Sequence, residues 1–293
     1  VDRALSDWGD STPGYGYFLG MYAFGLEENG RYQEAEVLGR QSVELNPQDA
    51  WGVHSVTHVM EMTGRAEEGI EWLESTLPGW GSSTMKLHNW WHALLLHVDL
   101  GHTDTALELY DARLVDDERV DAEALADRVS ALARFSLLDV DVGDRWPVLA
   151  KLWEPMMFDA RSPFNDLHAL LTFHYSNLGD LAQALVECVR SEYDRTIPMM
   201  RVGASVIEGV DALFQGDNDA ALASLQEHFS EVNLIGGSHA QRDLLSQITL
   251  EAAVRAGEWA SARAMLKERK LRRESMPYAY SRHCEQRMAV GST

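Results

Sequence analysis

The sequence predicts an all-α fold: antiparallel helix pairs stacked as an α-solenoid. Three observations carry that reading. First, one local pattern occurs six times, as in NGRYQEAEVL from Asn29, TGRAEEGIEWL from Thr63 and LGHTDTALELY from Leu100. Each copy is an apolar helical stretch, a glycine turn and a second stretch with small residues at regular spacing. The later copies begin at Leu178, Gln215 and Ala256. Second, the turn glycines Gly30, Gly64, Gly101, Gly179, Gly216 and Gly257 are spaced by 34, 37, 78, 37 and 41 residues. Third, the apolar/polar alternation of strands is nearly absent, and the 8 prolines mostly sit between helical stretches.

A helix–turn–helix recurring near 34 residues is the tetratricopeptide (TPR) pattern. Such pairs cannot bury their apolar faces alone, so they stack. The first pair spans 13–46 and closes at Asn46–Pro47. The second spans 48–77, ahead of Pro78–Gly79, and the third spans 84–115. Residues 118–160 depart from the pattern, with an amphipathic helix around Asp121–Leu138, a turn at Gly143 and a helix near Pro147–Met157. The 78-residue gap is about two repeat lengths, so this stretch is expected to hide one degenerate pair. Pairs resume at 163–193, 200–229 and 238–270. The reading is one repeat domain over 1–271 and a tail, 272–293, that starts basic and loses periodicity.

The net charge of −21 repels phosphate backbones and anionic lipid, so nucleic acid and membrane are not the expected partners. A small molecule or a peptide is. Cys188 and Cys284 form no CxxC, which fits a reduced, cytoplasmic compartment. No apolar run reaches the ~20 residues a spanning helix needs. The chain begins with Val1 and is expected to be a piece of a longer protein.

The chemistry gathers on the first helix of several pairs. WGVHSVTHVMEM puts His54, His58 and Glu61 on one helix face, and LHNWWHALLLH does the same for His88 and His92. FNDLHALLTFH carries Asn165, Asp166 and His168. GGSHAQRD carries His239, Gln241, Arg242 and Asp243. Two His-xxx-His pairs on neighbouring helices suit a divalent metal such as Zn, Fe or Mn, because neutral imidazole is a common ligand. His54, His58, His88, His92 and His168 are therefore candidate metal ligands. Glu61 and Asp166 are candidates for ligand, ring-orienting carboxylate or general base. Arg242 could grip a substrate carboxylate or phosphate at two points. Asn89, Trp91, Asn165, His239, Gln241 and Asp243 are candidate substrate contacts. The spacing is not HExxH, so the metalloprotease motif does not apply. The competing readings are a buried polar network for the four histidines and a plain helix-entry turn for GGSH.

Position relative to the turn adds direction. His88 and His92 lie 13 and 9 residues before Gly101, and His54 and His58 lie 10 and 6 before Gly64. Asp166 lies 13 before Gly179, and Glu61 lies 3 before Gly64. These offsets resemble the inward-facing positions of TPR domains that clamp a peptide carboxylate. His168, 11 before Gly179, matches a packing position.

Over these residues the chain resembles the tetratricopeptide repeat protein 38 family. The segments that carry the resemblance include YGYFLGMYAFGLEENGRYQEAE, ELNPQDAWGVHSVTHVMEM, LHNWWHALLLHVDLGHTDTALELYD, FNDLHALL and GGSHAQRDLLSQITLEAA. The resemblance implies a TPR-like fold and a further N-terminal segment. It implies motif histidines at His54, His58, His88, His92 and His168, with polar companions at Glu61, Asn89, Asn165, Asp166, Gln241, Arg242 and Asp243. Two functions follow as expectations. One is an inward His/carboxylate cluster that binds a small molecule, with metal-dependent catalysis as an option. The other is a scaffold holding a peptide in its concave groove.

Overall fold

The computed structural model describes residues 8–9, 11–157, 162–272 and 278–291. Among them every regular element is helical. The chain divides into two compact units: one runs to Asp117 and also takes in Lys270–Arg272, and the other holds Glu118–Arg269 and residues 278–291. The break after Asp117 falls at the start of the stretch where the repeat pattern is weakest in sequence.

In the first unit, α1 (Tyr15–Glu27) pairs with α2 (Tyr32–Leu45), α3 (Ala50–Met62) with α4 (Ala66–Trp80), and α5 (Lys86–Leu100) with α6 (Thr103–Leu109). The last of these runs on into a π-turn at Tyr110–Val115. Helix α3 packs on α1 and α5 as well as on its own partner, which is how stacked pairs share one core. Leu73, Trp80 and Leu96 fill that core at 2% exposure or less. Helix α4 continues past Pro78, beyond the end expected from sequence. The Trp80 indole donates to the Leu73 carbonyl at 3.0 Å and holds this last turn in place.

In the second unit, α7 (Ala122–Leu137) precedes α8 (Arg145–Trp153), and α9 (Pro163–Tyr175) pairs with α10 (Gly179–Glu192). Then come α11 (Pro198–Gln215) with α12 (Asn218–Glu227), α13 (His239–Arg255) with α14 (Trp259–Arg272), and α15 (Ala279–Gly291). The described part of the tail is thus helical. Tyr280, Cys284 and Met288 repeat every four residues on its buried side, and α15 packs on α13.

Backbone angles correct the repeat register. Gly30, Gly64, Gly101, Gly216 and Gly257 all have φ between 70° and 84°. Gly179 does not share it. In the fourth glycine copy the left-handed residue is Asn177, at φ 57°, and Gly179 already opens α10. In the irregular stretch, Asp139 takes the same conformation four residues before Gly143. Asn and Asp tolerate this conformation through short side chains that bond locally. The turn residues 30, 64, 101, 139, 177, 216 and 257 are then 34, 37, 38, 38, 39 and 41 apart. The 78-residue gap disappears. A small residue follows five positions after six of these turns: Ala35, Gly69, Ala106, Ala182, Ala221 and Ala262 are all buried where the second helix meets the first.

Counted from Asn177, His168 lies 9 residues before the turn, the offset of His92, and Asp166 lies 11 before it. This reverses the sequence-based expectation, which measured both from Gly179. His168 takes the groove-type register and Asp166 the packing one.

Candidate metal centre

Helices α3 and α5 supply the first unit's histidines. The i, i+4 spacing stacks His54 over His58 and His88 over His92, and α3·α5 packing brings the pairs face to face. Ring centroids are 4.4 Å apart for His54–His58, 4.8 Å for His88–His92 and 4.5 Å for His58–His92. His54 lies 5.0 Å from His88 and 5.1 Å from His92. All four are buried. One nitrogen from each ring can be chosen so that all four lie within 4.8 Å of one another. Zn–N bonds of about 2.0–2.1 Å hold donors no more than ~4.2 Å apart, so closing on an ion needs movements under about 1 Å.

Two carboxylates back the rings. Glu61 Oε2 lies 2.8 Å from His92 Nδ1. Glu27 Oε2 lies 3.5 Å from His58 Nδ1, too long for a good hydrogen bond. Both carboxylates are buried, at 3% and 0% exposure. With Nδ1 facing a carboxylate, Nε2 is the nitrogen left for an ion, the arrangement that orients and strengthens metal-bound histidines.

The walls are aromatic. Trp91 stacks on His88 at 5.0 Å and 17°, Phe24 meets both His54 and His58 at 5.2 Å, and Trp51 meets His54 edge-on. Neither ring nitrogen of His54, nor of His58, makes a hydrogen bond, and the Asn89 amide makes none either. Each unmet buried polar group costs about 1–3 kcal/mol. Burial, with His58 and His88 adding to it, holds the His54 imidazolium well below the usual histidine range. His54 is thereby a neutral imidazole at pH 7, the form that ligates metal.

Glu27 was not among the residues singled out from sequence. The signal was there: it lies 3 residues before Gly30, as Glu61 lies 3 before Gly64.

The other sequence-predicted residues lie in the second unit, each with partners of its own. Asp166 accepts from the Tyr193 hydroxyl. The Asn165 backbone N–H donates to the Ser162 hydroxyl, which caps the start of α9. His168 Nδ1 donates to the Phe164 carbonyl at 2.7 Å. Burial pushes its pKa down to about 4. Ser238 and Gln241 form a reciprocal cap at the start of α13, where His239 is the first helical residue. Arg242 donates to the Gly237 carbonyl, and Asp243 pairs with Arg269. Gln241 thus caps the entry of α13, while Asp243 ties α13 to Arg269 on α14. Among the described residues, His54–His58–His88–His92 and Glu27–Glu28–His58 are the groups of three or more donors close enough for one ion. Of the five histidines expected to ligate, four converge, and His168 belongs to neither group.

No protein-family model matches the chain. A solved tetratricopeptide repeat protein from Parabacteroides merdae ATCC 43184 matches it with a TM-score of 0.50 and 14% identity, over 96% of this chain and 100% of that one. This chain therefore has a TPR-like helical-repeat fold. No described helix is long and apolar enough to cross a membrane.

Proposed function

We propose that this chain is a metal-binding TPR-like protein, related to the tetratricopeptide repeat protein 38 family, in which His54, His58, His88 and His92 hold one divalent transition metal. The observation that carries the reading is the convergence of four buried imidazoles, two of which make no hydrogen bond through either nitrogen. A buried network serving packing alone would pair such groups. Glu61 orients His92, and Glu27 stands behind His58. Free cysteines at Cys188 and Cys284 agree with a reduced, cytoplasmic setting.

Four nitrogen donors saturate a tetrahedral zinc ion and make a closed site, whereas iron, cobalt or nickel would keep positions open for a small molecule. The ion's identity therefore separates a structural centre from a reactive one. Bound metal would supply Lewis acidity. The residues around it exclude water through Phe24, Trp51 and Trp91 and hold protons at His92 Nδ1.

Elemental analysis of tag-free protein, with thermal shifts on adding Zn, Mn, Fe or Co, tests this. The expected result is bound metal in the native chain, lost in His54→Ala/His88→Ala with helix content intact, and retained in His228→Ala. Absence of metal together with no thermal response overturns it. If the double variant instead unfolds with and without metal, the histidines are packing elements. The peptide-scaffold reading then stands, favoured by Tyr17, Met21 and Trp51, which are 52%, 53% and 43% exposed on α1 and α3.

A further inference from the structure

We infer that the centre takes a second cation beside the first, held by Glu27, Glu28 and His58, with the His58 ring bridging the two ions. This rests on the four-histidine site proposed above. Glu27 and Glu28 close α1, and each offers a carboxylate oxygen within 4.8 Å of a His58 nitrogen and of each other. Acidic pairs at helix ends are common and mean little alone. Here a further fact points to a ligand beside the wholly buried Glu27. His58, at 0% exposure, makes no hydrogen bond from either nitrogen, although its Nδ1 faces Glu27 Oε2 at 3.5 Å.

A 3.5 Å gap is wide for a hydrogen bond but ordinary for two donors sharing one cation. With Nδ1 on the carboxylate side, Nε2 serves the four-histidine ion. Neutral His58 carries one N–H. When the second ion binds, that proton leaves to solvent, and each ring nitrogen gives a lone pair to one metal. The two positions differ in access. The four-histidine position is closed by Trp91 and Phe24, while Glu28 is half-buried, so the carboxylate position can keep water or an exchangeable oxygen ligand. The hard oxygen donors there suit Mn, Fe, Co or Zn, and the position resembles an open, reactive metal site more than its neighbour does.

The test is metal counting. Tag-free full-length protein, stripped with a chelator, is titrated with Co2+ alone in weak buffer. The expected result is two ions per chain, with about one proton released on the second equivalent from the bridging ring. Glu28→Gln should bind one ion and keep its helix content, and Glu27→Gln should do the same. In the two-cobalt form, magnetic coupling through the bridge should quench the paramagnetic signal that the Glu28→Gln form retains. One ion in the native chain, lost in His88→Ala, overturns the second site and leaves the first intact. Two ions in both native and Glu28→Gln proteins place the second elsewhere and overturn it too. No ion in any form removes the four-histidine reading as well, so the two failures are distinct.

Discussion

In the first unit, His54 and His58 sit fully buried with four ring nitrogens outside any hydrogen bond. In the second, Glu251 is as deeply buried, yet it accepts from Arg255, from both terminal nitrogens of Arg287 and from the Tyr280 hydroxyl. Asp243 with Arg269, and Asp166 with Tyr193, follow the same habit. Burial is equal and satisfaction is not. A buried polar group with partners needs nothing else to complete it. One without partners is costly unless something outside the chain completes it. His168 belongs to both worlds: its Nδ1 is bonded, while its Nε2 is not.

Acid should break the comparison most strongly. His168 has a folded pKa of about 4 against 6.5 when free, because burial disfavours its charged form. The unfolded chain therefore binds more protons between those values. Stability is full above pH 6.5 and falls as pH drops toward 4, by about 3 kcal/mol from this group alone. His54 shifts the same way and adds to the loss. Denaturant titrations from pH 7.5 to 4.5 should show this slope, and His168→Gln should flatten it by one proton. An unchanged slope would place His168 in contact with water.

Glu251→Leu comes next. It strands Arg255 and Arg287, which are 45% and 31% exposed and can turn partly to water, so the expected loss is about 2 kcal/mol rather than the 3–5 of a fully buried pair. The matching change in metal-free protein, His54→Leu, should be neutral or stabilising, because it removes two unsatisfied nitrogens from an aromatic pocket. Calorimetry on both variants reads the sign. Equal destabilisation would mean that the histidines serve packing as Glu251 does.

The fold was legible in the sequence because its signals are local: helical period, glycine turns and small residues. Four of the site's histidines were legible for the same reason, since i, i+4 spacing and distance to Gly64 or Gly101 fix their direction. Glu27 escaped because an acidic pair at a helix end, Glu27–Glu28, looks like a solvated one. Asp166 and His168 were misdirected by a visible glycine. The chain turns at Asn177, and sequence alone favours Gly179, since glycine reaches positive φ most readily. The α15 helix was hidden by its short apolar spacing in a basic stretch.

Glu61→Gln should act on metal affinity rather than on folding. It keeps the volume and a weaker contact to His92 Nδ1, but it removes the charge that polarises the ring. Loss of such a backing carboxylate typically weakens metal binding about 10–100-fold. Competition with a chromophoric chelator should show that loss, with the melting temperature of metal-free protein little changed. Unaltered affinity would remove Glu61 from the centre.

The smallest effect tests the register on which the site assignments rest. Gly30 and Gly179 look alike in sequence, each opening a second helix after a first. Their backbones differ: Gly30 has φ 73°, while Gly179 is the first residue of α10 and lies outside the positive-φ set. An added Cβ meets nothing within 4 Å at either position, so sterics with neighbours cancel and conformation alone decides. Gly30→Ala forces a left-handed alanine and should cost about 1–2 kcal/mol. Gly179→Ala replaces a helical glycine and should gain about 0.5–1 kcal/mol, chiefly by restricting the unfolded chain. Asn177→Gly should be close to neutral, since the new residue takes the left-handed turn freely but adds unfolded entropy. Equilibrium unfolding of the three variants settles the order. If Gly179→Ala destabilises as Gly30→Ala does, the turn lies at Gly179 after all. His168 would then return to the packing register and Asp166 to the groove one.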